Sequence, residues 1–159
     1  MELRGRLGAA ACSRGSANLP ALPVALSDPS HLDGAMTAVA KLGAVSLDTS
    51  DPAGLSTFYR ELLDLEVFFE NEDFVALKGA GVLITMQRVD DHLPPDWPGG
   101  SVPKQLHLEL SVSDLDAAEQ AALSIGATKP DVQPSPDHWR VLIDPAGHPF
   151  CITTLIPDA

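Results

Sequence analysis

His107 and Glu109 stand two residues apart in a stretch, Leu106-His107-Leu108-Glu109-Leu110-Ser111, that alternates apolar and polar side chains. This is the period of a strand with one buried face: if the three leucines pack on a helix, His107, Glu109 and Ser111 share the opposite face. An imidazole beside a carboxyl could do proton-transfer chemistry. Histidine titrates closest to neutral pH, and a carboxyl enclosed in a pocket is raised toward that range. The plainer readings are a hydrogen-bonding histidine and a wetted strand end. Cys151 is a third reactive side chain, read either as a small buried hydrophobe or as a nucleophile.

The elements that must position these residues come in two copies. AVSLDTSDPAGLSTFYRELL begins at Ala44 and HLELSVSDLDAAEQAALSIG at His107, 63 residues later. Ser50-Asp51 falls on Ser113-Asp114, and the Gly81 and Gly147 turns repeat at an offset of 66. A duplicated supersecondary unit constrains the fold more than any one residue does. In the first copy, Ala44 to Asp48 alternates as a strand. Asp51 is placed to cap a helix and Pro52 to occupy its first position. Leu55, Phe58, Tyr59 and Leu62 follow at helical spacing. Glu66 to Glu70, Asp73 to Lys78 and Val82 to Arg88 read as strands.

The second copy repeats the order. Asp114 caps a helix with the stripe Leu115, Ala118, Ala122 and Ile125, closed by Gly126. Strands are expected around Ala127 to Val132, His138 to Ile143 and Pro149 to Leu155. Between the copies, Val89 to Pro103 holds four prolines and Trp97. It is long enough to lie over an opening between the halves, with Trp97 a candidate lid. Trp139 and Phe150 read as core or pocket-wall aromatics, and His92, His138 and His148 as solvated loop histidines.

The chain has 159 residues, 45% of them apolar, enough to bury a core. No apolar run approaches the ~20 residues of a membrane span. A formal charge of −12 argues against nucleic acid or an anionic membrane as partner, because lysine and arginine make those contacts. Two cysteines, Cys12 and Cys151, form no disulfide framework, which points to the cytoplasm. Residues 1–38 lack a sustained period and read as a disordered extension or as sequence upstream of a true start at Met36. Arg4, Arg6 and the short apolar run before Ser13 only faintly suggest a leader.

The stretches LGAVSLDTSDPAGLSTFYRELLDLEV, HLELSVSDLDAAEQAALSIGA and WRVLIDPAGHPFCITTL, spanning residues 42–156, resemble the vicinal oxygen chelate superfamily. That superfamily includes glyoxalases, bleomycin-resistance proteins and extradiol dioxygenases. The resemblance implies an α+β fold: two tandem βαβββ modules, residues 43–89 and 104–156, forming a cup-shaped mixed sheet with helices outside. The polar face of each strand then becomes a pocket wall. Cys151 and His107 could both face the cup as a nucleophile pair, though no third orienting group is evident.

Metal-dependent members take four ligands from four strands. The matching positions are Ala44, Thr85, His107 and Cys151, of which only His107 is an ordinary ligand. Asp48, Gln87 and Glu109 share those strand faces but sit one or two alternations along. Two residues shift a side chain by ~6.6 Å, so they would build a different site. No metal site and no cofactor are therefore expected, a bound divalent metal being the alternative.

The expected ligand-binding residues are Asp48, Gln87, Trp97, His107, Glu109, Trp139 and Cys151. The leading reading is a metal-free protein, monomeric or homodimeric, that binds a small organic molecule. The alternative is a metal-dependent or His/Glu-dependent lyase, isomerase or dioxygenase, with His107 and Glu109 as candidate catalytic groups. A third reading is a regulatory or partner-binding module with a vestigial pocket.

Overall fold

Strand β1, Ala44–Thr49, alternates as its sequence requires: Leu47 and Thr49 are buried while Ser46 and Asp48 are exposed. A computed structural model describes residues 38–79 and 81–157. The expected extension, Cys12 and Met36 lie outside the described residues. Helix α1, Pro52–Leu63, starts where Asp51 caps it, the Gly54 N–H donating to Asp51 Oδ1 at 3.0 Å. It buries Leu55, Phe58 and Tyr59 and ends at Asp64 in the left-handed region, φ 51°. Strands β2 (Glu66–Glu70), β3 (Phe74–Lys78) and β4 (Leu83–Arg88) complete a four-stranded sheet of order β1-β4-β3-β2. β1 runs parallel to β4 and the other pairs are antiparallel.

The second module repeats this with β5 (Leu108–Ser111), α2 (Leu115–Ser124), β6 (Trp139–Ile143) and β7 (Pro149–Thr153). The sheet order is β5-β7-β6, with β5 parallel to β7. Asp114 caps α2 by accepting from the Asp116 and Ala117 N–H groups. Arg140 on β6 seats the helix through Asp116 at 2.6 Å and Glu119 at 2.8 Å.

Two expectations are corrected here. The strand placed around Ala127 to Val132 is reduced to one bridge, Thr128 to Ile143. Pro130, Pro134 and Pro136 lack the N–H that a ladder needs. The Gln133 side chain stands in for a neighbouring strand, its amide accepting from the Val141 N–H and donating to the Val141 carbonyl, both at 2.8 Å. The second correction is Leu106. It does not pack on a helix: it precedes β5 and is 67% exposed. Leu108 and Leu110 do pack on the core, as the alternation requires.

A hydrophobic cluster among the described residues joins the modules. Phe58 of α1 meets Phe150 of β7 edge-on, with ring centroids 6.0 Å apart, and Leu47, Met86, Leu142 and Ile152 belong to the same cluster. Among the described residues no helix is long and apolar enough to cross a membrane.

Candidate functional site

A cavity of about 340 Å³ lies where β1 meets the linker and the start of β5. Ser46 and Asp48 contribute the outward face of β1; Leu93, Pro95, Val102 and Pro103 come from the linker. Gln105 to Leu108 and His148 with Pro149 complete the wall, and Tyr59 reaches it from α1. Leu106, displaced from the expected helix face, lies here. The lining is mostly apolar with a few polar groups converging, the usual composition of a small-molecule site.

The linker is held in place by specific contacts. Its turn is closed by Asp96, whose N–H donates to the Val102 carbonyl at 2.7 Å while its carboxylate accepts from the Val102 N–H at 3.1 Å. Gly147 adopts φ +92°, and a Cβ there would fall 2.3 Å from Pro94 Cβ. Only glycine allows the Asp144-Pro145-Ala146-Gly147 turn to approach the linker this closely.

A hydrogen-bond network ties the two modules at the cavity edge. The Tyr59 hydroxyl donates to Asp144 Oδ2 at 2.9 Å, and Asp144 Oδ1 accepts from the Ala146 and His148 N–H groups, each at 2.9 Å. His148 Nε2 donates to the Asp48 carbonyl at 2.7 Å, and His92 Nε2 to the Ala146 carbonyl at 3.1 Å. The two imidazole centroids are 5.0 Å apart. Burial raises the Asp144 carboxyl above its ordinary range, partly offset by His148 and by these hydrogen bonds. Burial raises the Tyr59 phenol still more strongly, with Asp144 adding to it, so Tyr59 remains a donor.

His107 lines the cavity, and its Nε2 lies 2.8 Å from Glu109 Oε1. Glu109 sits opposite buried Cys151 in the parallel β5–β7 register. One ligating atom from each of His107, Glu109 and Cys151 lies within 4.8 Å of the others. Glu109 therefore lies close to both His107 and Cys151. It does not activate the thiol, because burial first and the Glu109 charge second push Cys151 upward, with Lys104 opposing.

Of the residues expected to bind ligand, Asp48 and His107 line the cavity. Gln87 neighbours Asp48 in the β1–β4 register and is exposed. Glu109 and Cys151 are not among the lining residues and lie close to His107. Trp97 lies on the linker, its Nε1 donating to the Val132 carbonyl at 3.4 Å and its ring 4.6 Å from Lys104 Nζ. Trp139 is half-buried on β6, paired with Thr153. His92 and His148, expected to be solvated, are half-buried cavity residues instead, because each finds a backbone carbonyl on another element.

These elements define a two-module α+β fold. Residues 44–153 match the model of the glyoxalase-like domain, and the chain belongs to that family. No curated protein sequence matches the chain. Among solved structures, a glyoxalase/bleomycin resistance protein/dioxygenase family enzyme from Burkholderia phytofirmans is similar at 20% identity and TM-score 0.57, covering 74% of this chain and 100% of its own. A bleomycin-binding protein from Streptomyces verticillus, solved with copper(II)-bleomycin, is 20% identical, with TM-score 0.50 and coverage of 73% and 98%. A fosfomycin resistance protein from Listeria monocytogenes, solved with Mn(II) and a dihydroxypropylphosphonic acid, is 13% identical, with TM-score 0.60 and coverage of 75% and 95%.

The four-strand metal set of the superfamily does not fit this chain. Ala44 has no donor, and Thr85 is buried with its hydroxyl turned to the Val45 carbonyl at 3.5 Å. His107, Glu109 and Cys151 are the described residues that could hold an ion from one module. In the structure the His107 and Glu109 side chains of this trio are hydrogen-bonded to each other at 2.8 Å.

Proposed function

We propose that the protein binds a small organic molecule in the cavity between β1, the linker and β5, without a catalytic metal. On this reading it acts in the cytoplasm as a monomer or homodimer. The observation that carries it is the lining: an apolar wall from the linker and Leu106, with Asp48, His107 and His148 converging as polar anchors. The bleomycin-binding and fosfomycin resistance proteins, solved with small molecules on the same fold, support the small-molecule part of this reading. A screen of small organic compounds by thermal shift tests it. Hits should bind with at least roughly tenfold lower affinity to His107→Ala; hits that bind the variant unchanged would place the site elsewhere.

A second reading, an enzyme using His107 and Glu109 for proton transfer, is favoured by their 2.8 Å contact. Metal content separates the metal-dependent form of that reading from the first. Protein purified without chelator should carry far less than one Zn, Ni, Mn or Fe per chain, and EDTA should leave its melting curve unchanged. Stoichiometric metal lost in His107→Ala would move the protein to the metal-dependent class.

A further inference from the structure

The three cavity histidines have one property in common. His92 Nε2 meets the Ala146 carbonyl, His148 Nε2 the Asp48 carbonyl, and His107 Nε2 the Glu109 carboxylate. Carbonyls and carboxylates only accept, so Nε2 carries the hydrogen in each ring. In the neutral imidazole the other nitrogen, Nδ1, is then a lone-pair acceptor. Two of the donors in the lining are engaged elsewhere. The Tyr59 hydroxyl donates to Asp144, and the Gln105 amide donates to the Pro103 carbonyl at 3.1 Å. Asp48 adds a carboxylate on the exposed face of β1.

No lysine or arginine is among the described residues lining the cavity. The nearby Lys104 is placed over the Trp97 ring. The formal charge of −12 adds a long-range field that concentrates cations and repels anions. An acceptor-rich wall with one carboxylate and no fixed cation, set among leucines and prolines, matches a donor-bearing cation on an apolar body.

Resting on the small-molecule reading above, we propose that the cavity selects organic cations, with a protonated amine directed to Asp48 and the imidazole acceptors and its hydrocarbon part against the linker. A matched series sharing one body tests this: phenylpropylamine, phenylpropanol and phenylpropanoate, titrated calorimetrically into the full chain and into Asp48→Asn. The amine should bind at least roughly tenfold more tightly than the carboxylate. Asp48→Asn should bring the amine close to the alcohol while leaving the melting temperature near wild type, because the Asp48 contact to His148 is through its backbone.

The amine's advantage should also shrink as salt is raised. Carboxylate binding equal to or tighter than amine binding would overturn the proposal, as would an amine-to-alcohol ratio unchanged in Asp48→Asn. If the amine does not bind at all, the charge preference is also overturned. The cavity reading is then judged separately, by whether the hits of the general screen are lost in His107→Ala.

Discussion

Phe150→Ala is expected to destabilise the protein by about 3–5 kcal/mol, the range for removing a large buried aromatic side chain from a core. Phe150 is 0% exposed, and its ring stands edge-on to Phe58 on the helix of the other module. Truncation therefore removes apolar burial from β7 and a contact that joins the modules. Partial collapse sets where in the range the loss falls. Equilibrium denaturation measures it, with Glu109→Gln, an exposed change on the neighbouring strand, as the comparison expected near zero. A loss below about 1 kcal/mol would mean the modules do not share a core as the structure has it.

Asp144→Ala is expected to cost about 2–4 kcal/mol, because the Tyr59 hydroxyl and the Ala146 and His148 N–H groups all lose their acceptor. The same carboxyl makes a pH prediction. Burial raises its pKa in the folded state, so the folded state holds the proton more tightly than the unfolded chain. The contribution is fully present below the unfolded pKa, near 3.8, and is lost as pH rises through the higher folded value. Asp144→Asn keeps an acceptor and cannot ionise. Its stability relative to wild type should therefore rise as pH increases from below 3.8 into the neutral range. Denaturation curves across that range for both proteins read the difference. A flat or falling difference would contradict the assignment of Asp144 as the penalised carboxyl.

The local elements were legible because their signals are local. Asp51-Pro52 and Asp114 start both helices, and the strand alternation of Leu108, Glu109 and Leu110 survives in the fold. Two failures share a cause. The repeat predicts a strand around Ala127 to Val132 and the leucine alternation predicts Leu106 on the helix face, and both stretches lie next to prolines that cannot donate to a ladder.

The site was legible only in part. His107 and Glu109 meet at 2.8 Å although His107 precedes β5, because alternate residues of an extended chain point to one side. Cys151 joins them through the β5–β7 register, which spacing along the chain does not reveal. The Tyr59–Asp144 and His148–Asp48 bonds span 85 and 100 residues. Tyr59 read as helix stripe and Asp144 as turn, and nothing in their local sequence signals that they meet.

If His107 serves the cavity and not the core, stability and ligand response separate in one paired measurement. Melting temperature is recorded for wild type, His107→Ala and Phe150→Ala, each with and without a screened ligand. His107→Ala should melt close to wild type without ligand, yet lose most of the ligand-induced rise that mass action gives the wild type. Phe150→Ala should melt far lower without ligand. If His107→Ala unfolds as early as Phe150→Ala while no ligand raises the wild-type melting temperature, His107 is a structural histidine and the cavity is not a binding site.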